Sequence, residues 1–239
     1  MNILSHIITH KQQGSPLLAV LIDPNKQDAY TSILPYLHEV NLIFVGGSTG
    51  QSIEPCIASI RQYTQAPIVL FPGNIAQFSP NADALLFLSL LNAHTADMLI
   101  TPHIQIAQQV IQSGIESIPM GYILIDGEHK SSVEIVSNCT PIPQHNIEKI
   151  ISTALAGQLL GKQLIYLEAG SGAQKPVSTD IIHAVHQQLH VPLIVGGGIR
   201  TPQAMIQAFN AGADIVVIGN HFEQNPDEMG DFIRIKRER

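Results

Sequence analysis

The sequence predicts an α/β chain, a modified TIM (β/α)8 barrel. Two observations carry that expectation. Eight short apolar runs, each closed by Gly, Pro, Asp or Asn, are separated mostly by amphipathic stretches within 239 residues. The runs are also apolar without alternation, as expected of parallel strands buried on both faces. Alternating strands and helices at this length suit a closed barrel in one domain, 1–239, and no composition shift or linker suggests a second. An open doubly wound sheet is the competing fold.

The strand runs begin at Leu17, Leu42, Pro67, Ala84, Ser117, Gln163, Pro192 and Asp214. Helices are expected over Ala29–Val40, Ile53–Tyr63, His103–Ser113, Asn146–Leu160, Thr179–His190 and Pro202–Ala211. Thr201-Pro202 offers a cap followed by proline at the first helical position, and Gly114, Gly161 and Gly212 stand where helices should stop. Two irregularities modify the barrel. Only 11 residues separate Pro72 from Ala84, too few for an ordinary helical crossover. The third helix is therefore expected to be replaced by an irregular link. After the fifth strand, YILIDGEHKSSVEIV reads as a β-hairpin around Asp126-Gly127, within Tyr122 to Cys139.

Composition narrows the function. Lys and Arg total 12 against 19 Asp and Glu, a net charge of −7, which argues against a broad nucleic-acid binder. Two cysteines, Cys56 and Cys139, make no disulfide framework, so a cytoplasmic protein is expected. Neither a signal peptide nor an apolar run long enough for a membrane span is visible. Only 13% of residues are charged, which favours burial of some surface in a homo-oligomer.

In such a barrel the active site lies at the C-terminal ends of the strands. The last two strands end in VGGGIR and VIGN, glycines followed soon by helix starts. Backbone N–H groups there can approach an anion, so Gly197, Gly198, Gly219 and Asn220 point to a phosphorylated small molecule; tight turns are the bland alternative. The sixth strand ends in YLEAGSG. Tyr166 and Glu168 share one face by period-two alternation, and Glu168 at the mouth suits holding hydroxyls or removing a proton. Gly170, Ser171 and Gly172 extend the cradle. Asp23 and Ser48 end the first two strands, and one carboxylate with one hydroxyl, completed by diphosphate oxygens and water, suits Mg2+ rather than zinc. Lys26 is either a leaving-group cation or a solvated loop lysine. The metal site is expected roughly opposite the cradle, an arrangement that joins two phosphorylated substrates.

LIDPNK, FVGGSTG, PIVLFPGN, ALLFLSLLNA, YLEAGSGA, LIVGGGIR and VVIGN, in this order, resemble the geranylgeranylglyceryl phosphate synthase family, which includes heptaprenylglyceryl phosphate synthases. The likeness covers about residues 17 to 225. It implies a barrel lacking the third helix. It also implies an enzyme of phospholipid biosynthesis that moves a geranylgeranyl or other polyprenyl group from its diphosphate to the 3-hydroxyl of sn-glycerol 1-phosphate, with Mg2+, as a dimer or hexamer. By the same resemblance Asp23 and Ser48 are the metal ligands, and the glycerol phosphate site comprises Tyr166, Leu167, Glu168, Ala169, Gly170, Ser171, Gly172, Gly197, Gly198, Gly219 and Asn220. Glu168 and Tyr166 are the expected catalytic pair. Asn25 departs from the aspartate more usual in the family's LIDPDK run and implies weaker metal binding. The apolar tail is expected against LLFLSLLNA and the stretch from Ala96 to Ile106. The rival readings are another phosphate-handling barrel, an isomerase or lyase, and a non-catalytic sensor of a phosphorylated ligand.

Overall fold

A computed structural model describes residues 2–47, 52–74 and 76–238. Eight parallel strands close into a barrel in chain order: β1 (Leu17–Ile22), β2 (Leu42–Val45), β3 (Ile68–Leu70), β4 (Ala84–Leu90), β5 (Glu116–Leu124), β6 (Leu164–Glu168), β7 (Leu193–Gly196) and β8 (Ile215–Ile218). β8 returns to β1 with Val20 beside Ile218, and Glu168 sits beside Gly196 at the end of the β6–β7 pair. Side-chain alternation divides the core into two layers. Leu17, Ala19, Phe44, Met120, Leu164 and Tyr166 fill the barrel, while Leu18, Val20, Ile43, Ile165 and Leu167 face the helices.

The helices are α1 (Ile3–Gln12), α2 (Gln27–Ile33), α3 (Glu54–Arg61), α4 (Thr101–Ser113), α5 (Ser132–Ser137), α6 (Ile147–Leu159), α7 (Thr179–His186), α8 (Pro202–Ala211), α9 (Asn220–Gln224) and α10 (Met229–Arg237). Local chemistry sets the expected ends. Thr201 caps α8 by accepting from Ala204 N, and Gly212 closes it in the left-handed region at φ 114°. The helix expected over Ala29–Val40 breaks in two. α2 stops at Ile33, and a 3-10 turn, Leu34–Glu39, continues with Pro35 in its first turn, where a missing N–H does no harm.

Between β3 and β4 the described residues contain no helix. Side chains hold this link instead. Gln77 is fully buried, and its Oε1 accepts from Gly47 N at 3.2 Å and Gly73 N at 2.9 Å. Asp83 accepts from Arg61 at 2.6 Å and from Ile68 N at 2.7 Å.

The hairpin expected after β5 does not form. Asp126 Oδ1 accepts from Glu128 N at 2.9 Å, but the segment that follows is α5, and Ile142 makes one isolated parallel bridge to Ile125. Ser131 explains the difference. It caps α5 by accepting from Glu134 N, and the Ser131-x-x-Glu134 spacing has the form of a capping box. That local preference overrides the strand propensity of VEIV.

α1 was not anticipated. Asn2 caps it, and the backbone amides of Ile3 and Leu4 donate to the Glu116 carboxylate at the start of β5. Lys11 pairs with Asp214 at 2.9 Å. Ile3 and Ile7, one turn apart, enter the interior cluster and seal the N-terminal end of the barrel. The open end is therefore the other one. Truncating Ile7, 2% exposed, to alanine should cost about 2–5 kcal/mol in a urea titration. A cost below about 0.5 kcal/mol would show that α1 is not part of the cooperative core.

Candidate active site

At the C-terminal ends of the strands lies a cavity of about 430 Å3, lined by Asp23, Lys26, Tyr166, Glu168, the loop glycines of β6 to β8 and an apolar wall from β4 and α4. Its floor is aromatic. Phe71 stacks on Tyr166 at 5.6 Å, and Tyr122 lies 5.2 Å from Tyr166.

The glycine side of the cavity is a cup. Gly170, Gly172, Gly197 and Gly198 all have positive φ. Gly197 shows why a side chain is excluded. At φ 83°, a Cβ there would lie 2.5 Å from Glu168 Oε1 and 2.8 Å from Gly170 N. The two loops therefore approach backbone to backbone, leaving amide-rich surface of the kind that takes an oxyanion. Asn220, the first residue of α9, closes the cup by donating from Nδ2 to Ser171 Oγ at 2.7 Å.

Glu168 stands at the cup's edge. Its side chain is buried and Oε1 accepts from Gly170 N at 2.7 Å. Burial raises its pKa above the usual carboxylate range, partly offset by the Tyr166 hydroxyl and the Gly170 amide. Tyr166 and Glu168 crowd the same point above Gly196, where a Cβ would lie 2.2 Å from the hydroxyl and 2.9 Å from Oε2. The Tyr166 hydroxyl lies against the carboxylate without good hydrogen-bond geometry and has no other partner among the described residues, which leaves it open to a ligand. Burial and the nearby Glu168 charge push the Tyr166 and Tyr122 hydroxyls well above their usual value, so both remain protonated donors.

Asp23 follows β1. Its Oδ1 accepts from Asn25 N at 3.0 Å and Asn25 Nδ2 at 2.8 Å, which fixes the carboxylate. The asparagine thus orients the aspartate instead of adding a second negative charge. Gly47 makes room for it, since a Cβ there would lie 2.3 Å from Asp23 Oδ1. Ser48 lies outside the described residues. Contrary to expectation, the acid site does not face the cup from the opposite rim. β1 pairs with β8, so the two sites are neighbours, bridged by a 3.1 Å bond from Lys26 Nζ to Asn220 Oδ1.

Most expected site residues meet in this cavity: Asp23, Tyr166, Glu168, Gly170, Ser171, Gly172, Gly197, Gly198, Gly219 and Asn220 all line it. Leu167 and Ala169 do not. Both are buried in the outer layer against the helices, as period-two alternation from Tyr166 and Glu168 requires. Lining residues that the sequence reading missed include Phe71, Tyr122, Arg200, His221 and Glu223. Arg200, two residues after the last glycine of GGGIR, was legible; its Nη2 donates to Ala173 O at 2.6 Å and braces the cup loop. His221 directly follows Asn220 and pairs with Glu228 at 2.9 Å. Phe71 had no sequence signal beyond its strand.

The apolar wall is built from Leu85, Phe87, Met98, Pro102, Ile106 and Val133. It runs beside the helix-free link, where an outer helix would otherwise cover β3 and β4.

Comparison with known proteins agrees with this geometry. A model described as the PcrB family matches residues 10–236. A geranylgeranylglyceryl phosphate synthase of Zunongwangia profunda is 47% identical over 92% of this chain and 97% of its own. One from Korarchaeum cryptofilum is 37% identical over 92% of this chain and 93% of its own. The crystal structure of (S)-3-O-geranylgeranylglyceryl phosphate synthase from Thermoplasma acidophilum, in complex with sn-glycerol-1-phosphate, superposes with a TM-score of 0.90 at 31% identity, covering 100% of both chains.

The raised pKa of Glu168 has a consequence for stability. The folded protein holds this proton at pH values where the unfolded chain has released it. Stability is therefore lost as pH rises from the ordinary value of 4.5 through the folded value. Glu168→Gln lacks this penalty. In urea titrations the variant should gain stability over the parent at pH 7 compared with pH 4. A difference that does not change with pH would contradict the burial argument.

Proposed function

The chain belongs to the PcrB family, and on that premise we propose that it transfers a geranylgeranyl group from its diphosphate to the 3-hydroxyl of sn-glycerol 1-phosphate. The observation that carries this reading is one cavity joining an amide cup, a buried carboxylate and an apolar wall.

The phosphate of the acceptor sits in the cup of Gly170, Gly172, Gly197, Gly198 and Asn220. That anchor sets its hydroxyls beside Tyr166 and Glu168, and orientation of this kind removes much of the entropic cost of a bimolecular step. The C–O bond between the prenyl carbon and the diphosphate breaks, with the electron pair leaving on the diphosphate. The acceptor oxygen forms the new ether bond, and its proton passes to Glu168. A carboxylate made more basic by burial suits that transfer. The tail lies along Leu85, Phe87, Met98 and Ile106, where each buried CH2 contributes about 0.8 kcal/mol.

The Asp23 side of the mouth fits Mg2+. Its donors are oxygens, with one carboxylate preset by Asn25. Among the described residues no cluster of three His, Cys, Asp or Glu forms a closed site of the kind zinc prefers. Mg2+ commonly binds through one or two carboxylates plus substrate phosphates. Asp23, with Ser48, would hold it, and when bound it supplies charge neutralisation to the diphosphate. We place the enzyme in the cytoplasm as a homo-oligomer. Exposed Ile104 and Ile111 on α4, with Leu159 and Leu160 at the end of α6, supply apolar surface for such an assembly.

Incubation with labelled geranylgeranyl diphosphate and sn-glycerol 1-phosphate should give an organic-extractable phosphate. An isomerase would make none, and a sensor would bind without turnover. Glu168→Gln should lower turnover by about 100-fold or more; near-parental turnover would remove the proton-acceptor role. Asp23→Asn should abolish the dependence of rate on Mg2+, and an unchanged metal titration would count against that site.

A further inference from the structure

The mouth must hold two anions at once, a phosphate and a diphosphate, yet the described side chains lining it carry few fixed positive charges: Lys26 and Arg200. Arg200 braces the cup loop through Ala173 O. Lys26 is placed differently. Its backbone N–H donates to Asp23 O at 3.1 Å, closing a turn with Pro24 at its second position, a favoured site for proline. The lysine is thereby fixed in sequence and space relative to the acidic residue. Its Nζ donates to Glu223 Oε2 at 2.7 Å and to Asn220 Oδ1 at 3.1 Å.

The burial of this pair is uneven. The Glu223 side chain is 6% exposed, whereas that of Lys26 is 42% exposed and lines the cavity. A largely buried carboxylate is costly to leave without its cation, which favours Lys26 remaining on Glu223 at the cavity wall that both line. An ammonium has three donors; among the described residues Glu223 and Asn220 take two of them, which leaves one to offer. Asn220 also donates to Ser171 Oγ in the cup, so a single amide registers the ammonium against the phosphate site.

From this geometry we infer that Lys26 is a binding residue for the leaving diphosphate, positioned by Glu223 and Asn220 between the Asp23 side and the phosphate cup. The inference rests on the transfer reaction proposed above. Lys26 supplies a charge-assisted hydrogen bond to a diphosphate oxygen and lowers the charge on the leaving group as the prenyl C–O bond breaks. Glu223, which also lines the cavity, acts by holding Lys26 in place.

The test uses inorganic pyrophosphate as probe, titrated calorimetrically into the full chain with Mg2+. Three variants are compared: Lys26→Met, Lys26→Arg and the double variant Lys26→Met/Glu223→Gln. The double variant removes the stranded carboxylate and should recover thermal stability lost in Lys26→Met. Its pyrophosphate affinity should nevertheless stay about 10-fold or more below that of the parent. Lys26→Arg should fall between the two, and sn-glycerol 1-phosphate affinity should change less than threefold throughout. Recovery of pyrophosphate affinity together with stability in the double variant would reduce Lys26 to a structural role and overturn the inference. Parental pyrophosphate affinity in Lys26→Met would do the same. The underlying reaction is tested separately by product formation in the parent: an inactive parent that still loses pyrophosphate affinity with Lys26 would sink the reaction and spare the binding site.

Discussion

The arrangement at the mouth depends on one contact, the buried Glu168 carboxylate accepting from the Gly170 amide at 2.7 Å. It fixes the side chain at the end of β6 and the loop that follows in one stroke. The loop of Gly197 can close over it only because no Cβ stands between them. The result is a carboxylate held in a nearly dry site beside a row of amides. Its raised proton affinity and the exposed amides of the cup have a common origin in that close backbone approach. A side chain at Gly197 would disturb both.

Barrel closure supplies the second constraint. Because β8 pairs with β1, the acidic residue after β1 and the asparagine after β8 are neighbours, and Lys26 ties them together. The Asp23 side and the glycine cup therefore lie side by side on one rim, with the apolar wall of β4 and α4 extending away from them. Loss of the usual helix between β3 and β4 leaves room for that wall. The sealed end of the barrel, closed by Ile3 and Ile7, carries stability instead.

Much of this was legible in the sequence because it rests on short-range chemistry. Continuous apolar runs marked the strands, and the glycines of VGGGIR and EAGSG marked the cup. The short link marked the missing helix. What escaped was of two kinds. The α5 segment carried a strand-like VEIV, and its Ser131 to Glu134 capping box was the stronger signal. The outward placement of Leu167 and Ala169 followed from the same alternation that placed Glu168 inside, but a contiguous motif obscured it. The neighbouring, rather than opposed, sites depend on ring closure, which no local pattern encodes. α1 shows the same limit: its Asn2 cap and the Ile3–Ile7 spacing were present, but its docking on Glu116 is a contact across the whole first half of the chain.

The central claim, that the glycine cup beside Glu168 binds the acceptor phosphate, is tested most directly by calorimetric titration of sn-glycerol 1-phosphate into the parent and into Gly197→Ala. The left-handed strain and the lost approach should weaken binding by about 10-fold or more, with inorganic pyrophosphate affinity retained. Equal affinity of the two proteins for sn-glycerol 1-phosphate would contradict the account.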